Sequence, residues 1–503
     1  MSFGQQLPLG QRIPASIHAV SVSIPTMDDV IGYEEKRPST MAELQSGYPR
    51  FVVHRYLKTI SEHWKDLFSS PRSAIWLTAS DRMAKRLQAH LAPLETTYLK
   101  HDGVSGLRIP DDDDANTRAK LFLQHIGGFL SSRAAEDYLI RQGLLETAQP
   151  EATYAGDAEA SAREQLAPLF SCSPDDLILA NNGMNAFFSA FEAVRHLQAR
   201  HGKNAWVKLG WLYTDTMHIL DKLSGEHAEN FELLDIFDLD QLETALQERG
   251  HEIAGIVTEA PTNPMIQTMD LERISDLATK HQIYLIVDPT VCSPRNIDVA
   301  PYADIIVNSL TKYAGHEGDV MLGAIAATSR CPLREDFLRL ARETAEPAYA
   351  RDLSRIAYQL PHYESIVEQI NQSTKKIVAY LEAHPAIKKV YWSGEEKSRA
   401  SYQKLARRED AIGGLLSFEL TGPLAAFYDA VPLPKGPSFG MRDTLLCPYI
   451  YLAHYALVTS ESGRALLAKA GISPELIRLS IGLEPADQII QALDAALPGS
   501  SAH

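Results

Sequence analysis

Two residues between Ile283 and Gly323 can do chemistry together. Asp288 ends the apolar run Tyr284-Leu-Ile-Val287, and Lys312 follows the apolar run Ile305-Ile-Val307 by way of Asn308-Ser309-Leu310-Thr311. Each run is too short for a helix and rich in β-branched residues, so each predicts a fully buried parallel strand. In an open parallel sheet, polar residues just past the carboxyl ends of neighbouring strands face the crevice where ligands bind. A carboxylate and an amine delivered there together meet the needs of pyridoxal phosphate. The amine holds its aldehyde as a Schiff base and the acid pairs with its pyridinium nitrogen. Ser309 and Thr311 carry hydroxyls that can bond the phosphate.

Other stretches could supply the rest of a site. Asn181-Asn182-Gly183-Met184-Asn185 stands between a strand-like run, Asp176–Ala180, and a long apolar helix over 186–199. A small polar turn with glycine at such a junction forms an anion cradle from backbone N–H groups. Gly210-Trp-Leu-Tyr213 follows the strand-like Trp206–Leu209 and presents an aromatic, and Gly255–Glu259 runs into Ala260-Pro-Thr-Asn263-Pro264. Near the end, Leu476–Ile481 reads as a strand with Arg478 on the face opposite Ile477, Leu479 and Ile481. An arginine there needs a charged partner, a carboxylate ligand or bulk water.

Repeated strand–helix units from 151 to 330 predict an α/β fold with a doubly wound, mostly parallel sheet as the large domain. Residues 331–503 turn helical and then mixed, a smaller α+β domain. It has a helix over 362–384, strands near 389–392 and 414–420, and a terminal helix over 485–497. Residues 1–54 are a proline-rich arm, in which Ala19-Val-Ser-Val-Ser-Ile24 alternates like an edge strand. Residues 55–150 have their own strand–helix alternation and read as an ordered insertion. In it Ser80 caps a helix over 81–91, and Asp111 to Asp114 form the acidic start of the next helix rather than a metal site.

With 503 residues, 45% hydrophobic and 22% charged, the chain has the composition of a soluble globular protein of two or three domains. A net charge of -16 argues against nucleic acid or an anionic membrane as partner. Cys172, Cys292, Cys331 and Cys447 form no CxxC pair, which favours reduced thiols over a metal site or disulfide framework. The first twenty residues lack the basic start and apolar core of a secretory signal. No apolar run approaches the roughly 20 residues of a membrane span. The expected compartment is the cytoplasm.

Taken in order, Tyr48-Pro-Arg50, Asn182-Gly-Met184, Tyr213, Pro261-Thr-Asn-Pro264, the stretch from Asp288 to Gly323 and Arg478-Leu-Ser-Ile-Gly-Leu-Glu484 resemble the cystathionine synthase and lyase family. This is the Cys/Met-metabolism family of pyridoxal phosphate enzymes, of fold-type I. The resemblance covers about Ala160 to the C-terminus plus the N-terminal loop. It implies that Lys312 binds the cofactor and shuttles protons, that Asp288 keeps the ring nitrogen protonated and that Tyr213 stacks on the ring. Gly183, Met184, Ser309 and Thr311 would form the phosphate cup, and Asn263 would stand beside the ring oxygen. Tyr48 and Arg50 match a pair that reaches the phosphate of a neighbouring subunit, which implies a homodimer at least and usually a tetramer. Arg478 would clamp the substrate α-carboxylate, with Ser438 in the same substrate-binding region.

Three departures from the family pattern stand out: Asp288-Pro289-Thr290 in place of Asp-Asn-Thr, the insertion, and Ser438-Phe-Gly-Met-Arg-Asp443-Thr444 in place of Ser-Leu-Gly-x-x-Glu-Ser. Asp443 stands where relatives acting on cystathionine often carry a glutamate, an acid suited to a distal ammonium. The arm and the insertion look like those of long fungal-type cystathionine γ-synthases. The resemblance therefore implies a γ-replacement on an O-acetyl- or O-succinyl-homoserine, through a vinylglycine-type intermediate, with cysteine giving cystathionine. A carbon or nitrogen nucleophile, a cystathionine lyase and a non-catalytic relative are the alternatives.

Overall fold

The buried apolar runs become the strands of one seven-stranded sheet. The structure, a computed structural model, describes residues 6–44, 47–48, 52–225 and 228–498. Across this sheet the order is Ile178–Ala180, Gly323–Ala327, Ile305–Ser309, Tyr284–Asp288, Ile253–Glu259, Ala205–Leu209 and Phe231–Leu233. Tyr284–Asp288 lies between parallel neighbours, with Asp288 opposite Glu259 and Val287 opposite Ile306. Every residue of Ile253–Glu259 is buried, as a strand covered by helices on both faces must be.

The sheet is mixed, because Gly323–Ala327 runs antiparallel to both of its neighbours. Its connection from Ile305–Ser309 holds only a short 3₁₀ turn, Tyr313–Gly315. A parallel return needs a crossover, usually a helix. Lys312 therefore sits in a tight return between two sheet strands.

Two further sheets come from other parts of the chain. One has four antiparallel strands in the order Ile387–Tyr391, Leu415–Leu420, Ile477–Ser480, Leu445–Pro448. The other, within 73–110, has the order Ser73–Thr78, Val104–Pro110, Thr97–His101. Helix signals read from sequence match closely here: Ser80 accepts a bond from Met83 N at the start of Asp81–Leu91. Asp112 does the same for Ala115 N, with Asp113 and Asp114 in the first turn of Asp113–His125.

The edge-strand expectation for 19–24 is corrected. Only Ser21–Val22 is strand, paired with Arg12–Ile13, and the whole run is buried. The alternating serines donate to carbonyls, Ser21 Oγ to Pro437 at 2.5 Å and Ser23 Oγ to Leu7 at 3.0 Å. Among the described residues, no helix is long and apolar enough to cross a membrane, and no group of His, Cys, Asp or Glu is arranged to hold a metal.

Candidate active site

The carboxyl ends of the central strands open into a cavity between the seven-stranded and four-stranded sheets. Lys312, Asp288, Tyr213, Asn263, Ser438 and Arg478 all line it. Gly183, Met184, Ser309 and Tyr48 line it too. Residues separated by hundreds of positions thus meet where the sheet topology brings ligands.

Lys312 Nζ donates to Ser438 Oγ at 2.7 Å and lies 4.8 Å from the ring centre of Tyr48 and 5.1 Å from that of Phe439. Burial, helped by the nearby Arg478 cation, pushes the Lys312 amine down to about 7. A neutral amine is a competent nucleophile toward an aldehyde. Uptake of pyridoxal phosphate by the apoprotein should therefore speed up with pH only to a plateau just above pH 7. An ordinary lysine would keep gaining toward a pKa of about 10.4. Stopped-flow absorbance across a pH series checks this, and a rate still climbing well above neutrality contradicts it.

Ser438 holds a left-handed φ of 87°, a conformation that costs a non-glycine residue about 1–3 kcal/mol unless its surroundings impose it. Here they do: its hydroxyl accepts from Lys312 and its carbonyl accepts from Arg478 Nη2 at 3.0 Å.

Asp288 is pushed up to about 6 by burial, with a partial offset from its bond with Thr290 N at 2.8 Å. A cation such as a pyridinium beside it would restore its charge. The adjacent strand ends in a second acid, Glu259, whose carboxyl is raised by burial first and by Asp288 second. Glu259 also accepts from the backbone N–H of Tyr213 and so fixes the residue whose ring borders the cavity. Sequence reading gave Glu259 no role. The available signal was an acid closing two neighbouring strands in the same way.

On the opposite side of the cavity, Asn182 caps the helix Gly183–Ala199. A Cβ at Gly183 would lie 2.8 Å from Ser309 Cβ, so glycine alone permits this approach. Ser309 Oγ is buried with no hydrogen-bond partner among the described residues. An orphan hydroxyl facing a helix N-terminus suits a phosphate. Thr311 does not reach this cup. It is fully buried, and its hydroxyl sits between N and O of Leu322, at 3.3 and 3.4 Å. The strand ends at Ser309, so the every-second-residue spacing that links the two hydroxyls in sequence is lost in the turn.

Arg478 is 6% exposed. Its Nη1 donates to Asn263 Oδ1 at 3.2 Å, and the guanidinium stacks 4.6 Å from the ring centre of Tyr449. No carboxylate pairs with it among the described residues, and it borders the cavity, where a carboxylate ligand could meet its charge. Asn263 Nδ2 in turn donates to Tyr449 Oη at 3.1 Å.

Asp443 is not part of this cavity. It faces a separate cleft with Glu317, Arg355 and Arg442, and burial together with Glu484 raises its carboxyl. Past Ser438 the chain turns through Gly440 at a φ of 70°, and this carries Asp443 away. The cavity lining also includes the apolar side chains Phe187, Val291, Cys447, Leu452 and Ala453. Tyr48 lies over Lys312. Arg50 is outside the described residues.

Comparison with known proteins agrees with this architecture. Residues 165–498 match the family described as Cys/Met metabolism PLP-dependent enzyme. The chain is 34% identical to the L-2-amino-4-chloropent-4-enoate dechlorinase/desaturase of Streptantibioticus cattleyicolor, over 97% of this chain and 98% of that one. It is 26% identical to the cystathionine gamma-synthase of Neurospora crassa, over 97% and 98%. Cystathionine gamma synthase from Xanthomonas oryzae shares its fold with a TM-score of 0.58 at 23% identity, over 70% of this chain and 88% of that structure. The chain belongs to the Cys/Met-metabolism family of enzymes, with the α/β architecture of fold-type I and pyridoxal phosphate as its cofactor.

Proposed function

We propose that this enzyme expels a leaving group from the γ carbon of an L-α-amino acid and leaves the product unsaturated. The observation that carries the reading is the contrast inside one cavity. Arg478, buried and without a carboxylate partner among the described residues, and Lys312, its amine lowered by burial, share the lining with Phe187, Val291, Leu452 and Ala453, while Asp443 lies outside it. Such a pocket suits an amino acid whose distal end is small and uncharged. The 34% identity to a dechlorinase/desaturase of L-2-amino-4-chloropent-4-enoate supports the same class, since that substrate bears its chlorine on the γ carbon.

Pyridoxal phosphate, when bound, supplies an electron sink for the carbon next to the amino group. The chain does the rest. Arg478 holds the α-carboxylate. Lys312, aimed by Ser438 Oγ, takes the proton from the α carbon and then from the β carbon, and returns protons to the product. Asp288 pairs with the ring nitrogen, and Glu259 keeps Tyr213 beside the ring. Asn263 lies by the ring oxygen, and Gly183, Met184 and Ser309 receive the phosphate. The enclosing walls keep water from the reacting carbons. We assign these tasks to a large domain over 151–330 and a small domain over 331–503, with the arm over 1–54 and the insertion over 55–150 completing the site. The working form we propose is a cytoplasmic homo-oligomer.

The second reading is γ-replacement on an O-acyl-homoserine with cysteine, giving cystathionine. It is favoured by the identity to the Neurospora crassa cystathionine gamma-synthase along nearly the whole chain. One experiment separates the two. The purified enzyme is given L-2-amino-4-chloropent-4-enoate, or O-acetyl-homoserine with and without cysteine, and products are followed by mass spectrometry and chloride release. We expect chloride and a product lighter by HCl from the first substrate. Cystathionine as the fast product from the second, with no chloride from the first, would overturn the elimination reading.

A further inference from the structure

The turn that opens the helix Gly183–Ala199 carries three asparagines, and their side chains do more than start that helix. Asn182 Oδ1 accepts from Asn185 N at 2.9 Å and closes the N-cap, while Nδ2 of the same amide donates to the carbonyl of Gly127 at 2.9 Å. Asn181 Nδ2 donates to that same carbonyl at 2.9 Å, and Asn185 Nδ2 donates to the carbonyl of Ile126 at 3.0 Å. Ile126 and Gly127 directly follow the insertion helix Asp113–His125, where carbonyls lack partners within their own helix. The two backbones are pressed together. A Cβ at Gly127, whose φ is +66°, would lie 2.0 Å from Asn182 Oδ1.

The same insertion helix also holds the helix Thr214–Leu223, which follows Tyr213. Gln124 Nε2 donates to Asp215 Oδ1 at 3.0 Å, and His125 Nδ1 lies 2.8 Å from that oxygen. Asp215 is 1% exposed and stands two residues past Tyr213.

We propose that the insertion is a brace for the cofactor, with Asn182 as the positioning residue that locks the phosphate turn to the segment 126–127. A single amide holds both ends, one oxygen on the helix and one N–H pair on the insertion. The backbone N–H groups of Gly183 and Met184 are thereby fixed before any anion arrives, so little ordering cost remains when it binds. The inference rests on the assignment of Gly183 and Met184 to the cofactor phosphate.

The test compares two probes, pyridoxal phosphate and pyridoxal, which lacks the phosphate. Their dissociation constants from the apoprotein are read from visible absorbance, alongside the apoprotein melting temperature. Asn182→Ser keeps an oxygen for the N-cap but loses the amide donor to Gly127. Its constant for pyridoxal phosphate should rise ~10-fold, as expected for one lost bond supporting a charged ligand, while that for pyridoxal stays put. Gly127→Ala, which separates the same surfaces from the other side, should act in the same direction. If it does not fold, Asn182→Ser alone decides. A lower melting temperature with an unchanged ratio of the two constants would mean a merely structural bond and overturn the brace. Gly183→Ala guards the premise, because it should abolish the preference for the phosphorylated probe. An unchanged preference there overturns the phosphate assignment itself. An intact ratio in Asn182→Ser beside a collapsed one in Gly183→Ala overturns the brace alone.

Discussion

Lys312→Ala should purify without the visible absorbance of a covalently held cofactor and should turn over at least ~10⁴-fold more slowly, the upper range for losing an acid–base group. The size follows from the position of the amine. Lys312 is the one lysine among the described residues lining the cavity, and burial, with Arg478 nearby, lowers its amine to about 7. The other deeply buried lysine near this region, Lys435, donates to the carbonyl of Pro25 and faces the arm. No second amine stands ready to replace Lys312. Borohydride treatment gives a check that does not depend on turnover. The native chain should gain the mass of the reduced cofactor on the peptide holding Lys312, and the variant should gain none. Labelling of the variant at another lysine would remove Lys312 from its assigned role.

Arg478→Ala should raise KM for any amino-acid substrate by ~10²-fold, corresponding to about 3 kcal/mol of charge-assisted bonding to a carboxylate. A clamp on a group that does not react acts in the ground state as well as in the transition state, so the loss appears in KM more than in kcat. Arg478→Lys should recover little. The fork matches a carboxylate in two places, and its planar face stacks near Tyr449 and Phe439, neither of which an ammonium reproduces. Steady-state kinetics on the preferred substrate measure both variants. A normal KM in Arg478→Ala would mean that the carboxylate binds elsewhere.

Much of this was legible before any coordinates. Tyr284–Val287 and Ile305–Val307 are short, apolar and β-branched, and they become neighbouring parallel strands as that pattern requires. The helix expected over 81–91 forms as Asp81–Leu91 behind its Ser80 cap, whereas the one expected from 186 starts three residues earlier, at Gly183. Polar residues were harder to read wherever a turn decides their direction. Thr311 and Asp443 each follow a recognisable partner, Ser309 and Ser438, but the backbone bends between them, and spacing along a chain says nothing about a bend. Ser21 and Ser23 lie buried because each hydroxyl finds a carbonyl, which alternation along the chain does not reveal. Thr97–His101 and Leu445–Pro448 are brief, and the second ends in proline, so neither announced itself as a strand. Glu259 was visible as a letter but not as a role. Its meaning depends on which strand lies beside Asp288, a matter of register rather than of local sequence.

Ser438 touches Lys312 through its hydroxyl and Arg478 through its carbonyl at once. On the roles proposed for Arg478 and Lys312, recognition and proton transfer are not independent. A carboxylate that draws the guanidinium away from the Ser438 carbonyl alters the residue that orients the lysine. Linkage then runs in both directions, so that protonation of Lys312 changes carboxylate affinity by the same factor as the carboxylate changes the basicity of Lys312. A ligand without the carboxylate leaves that circuit open and meets a lysine still held in its resting pose. On that proposal, selectivity for amino acids is written into the base itself as well as into the clamp.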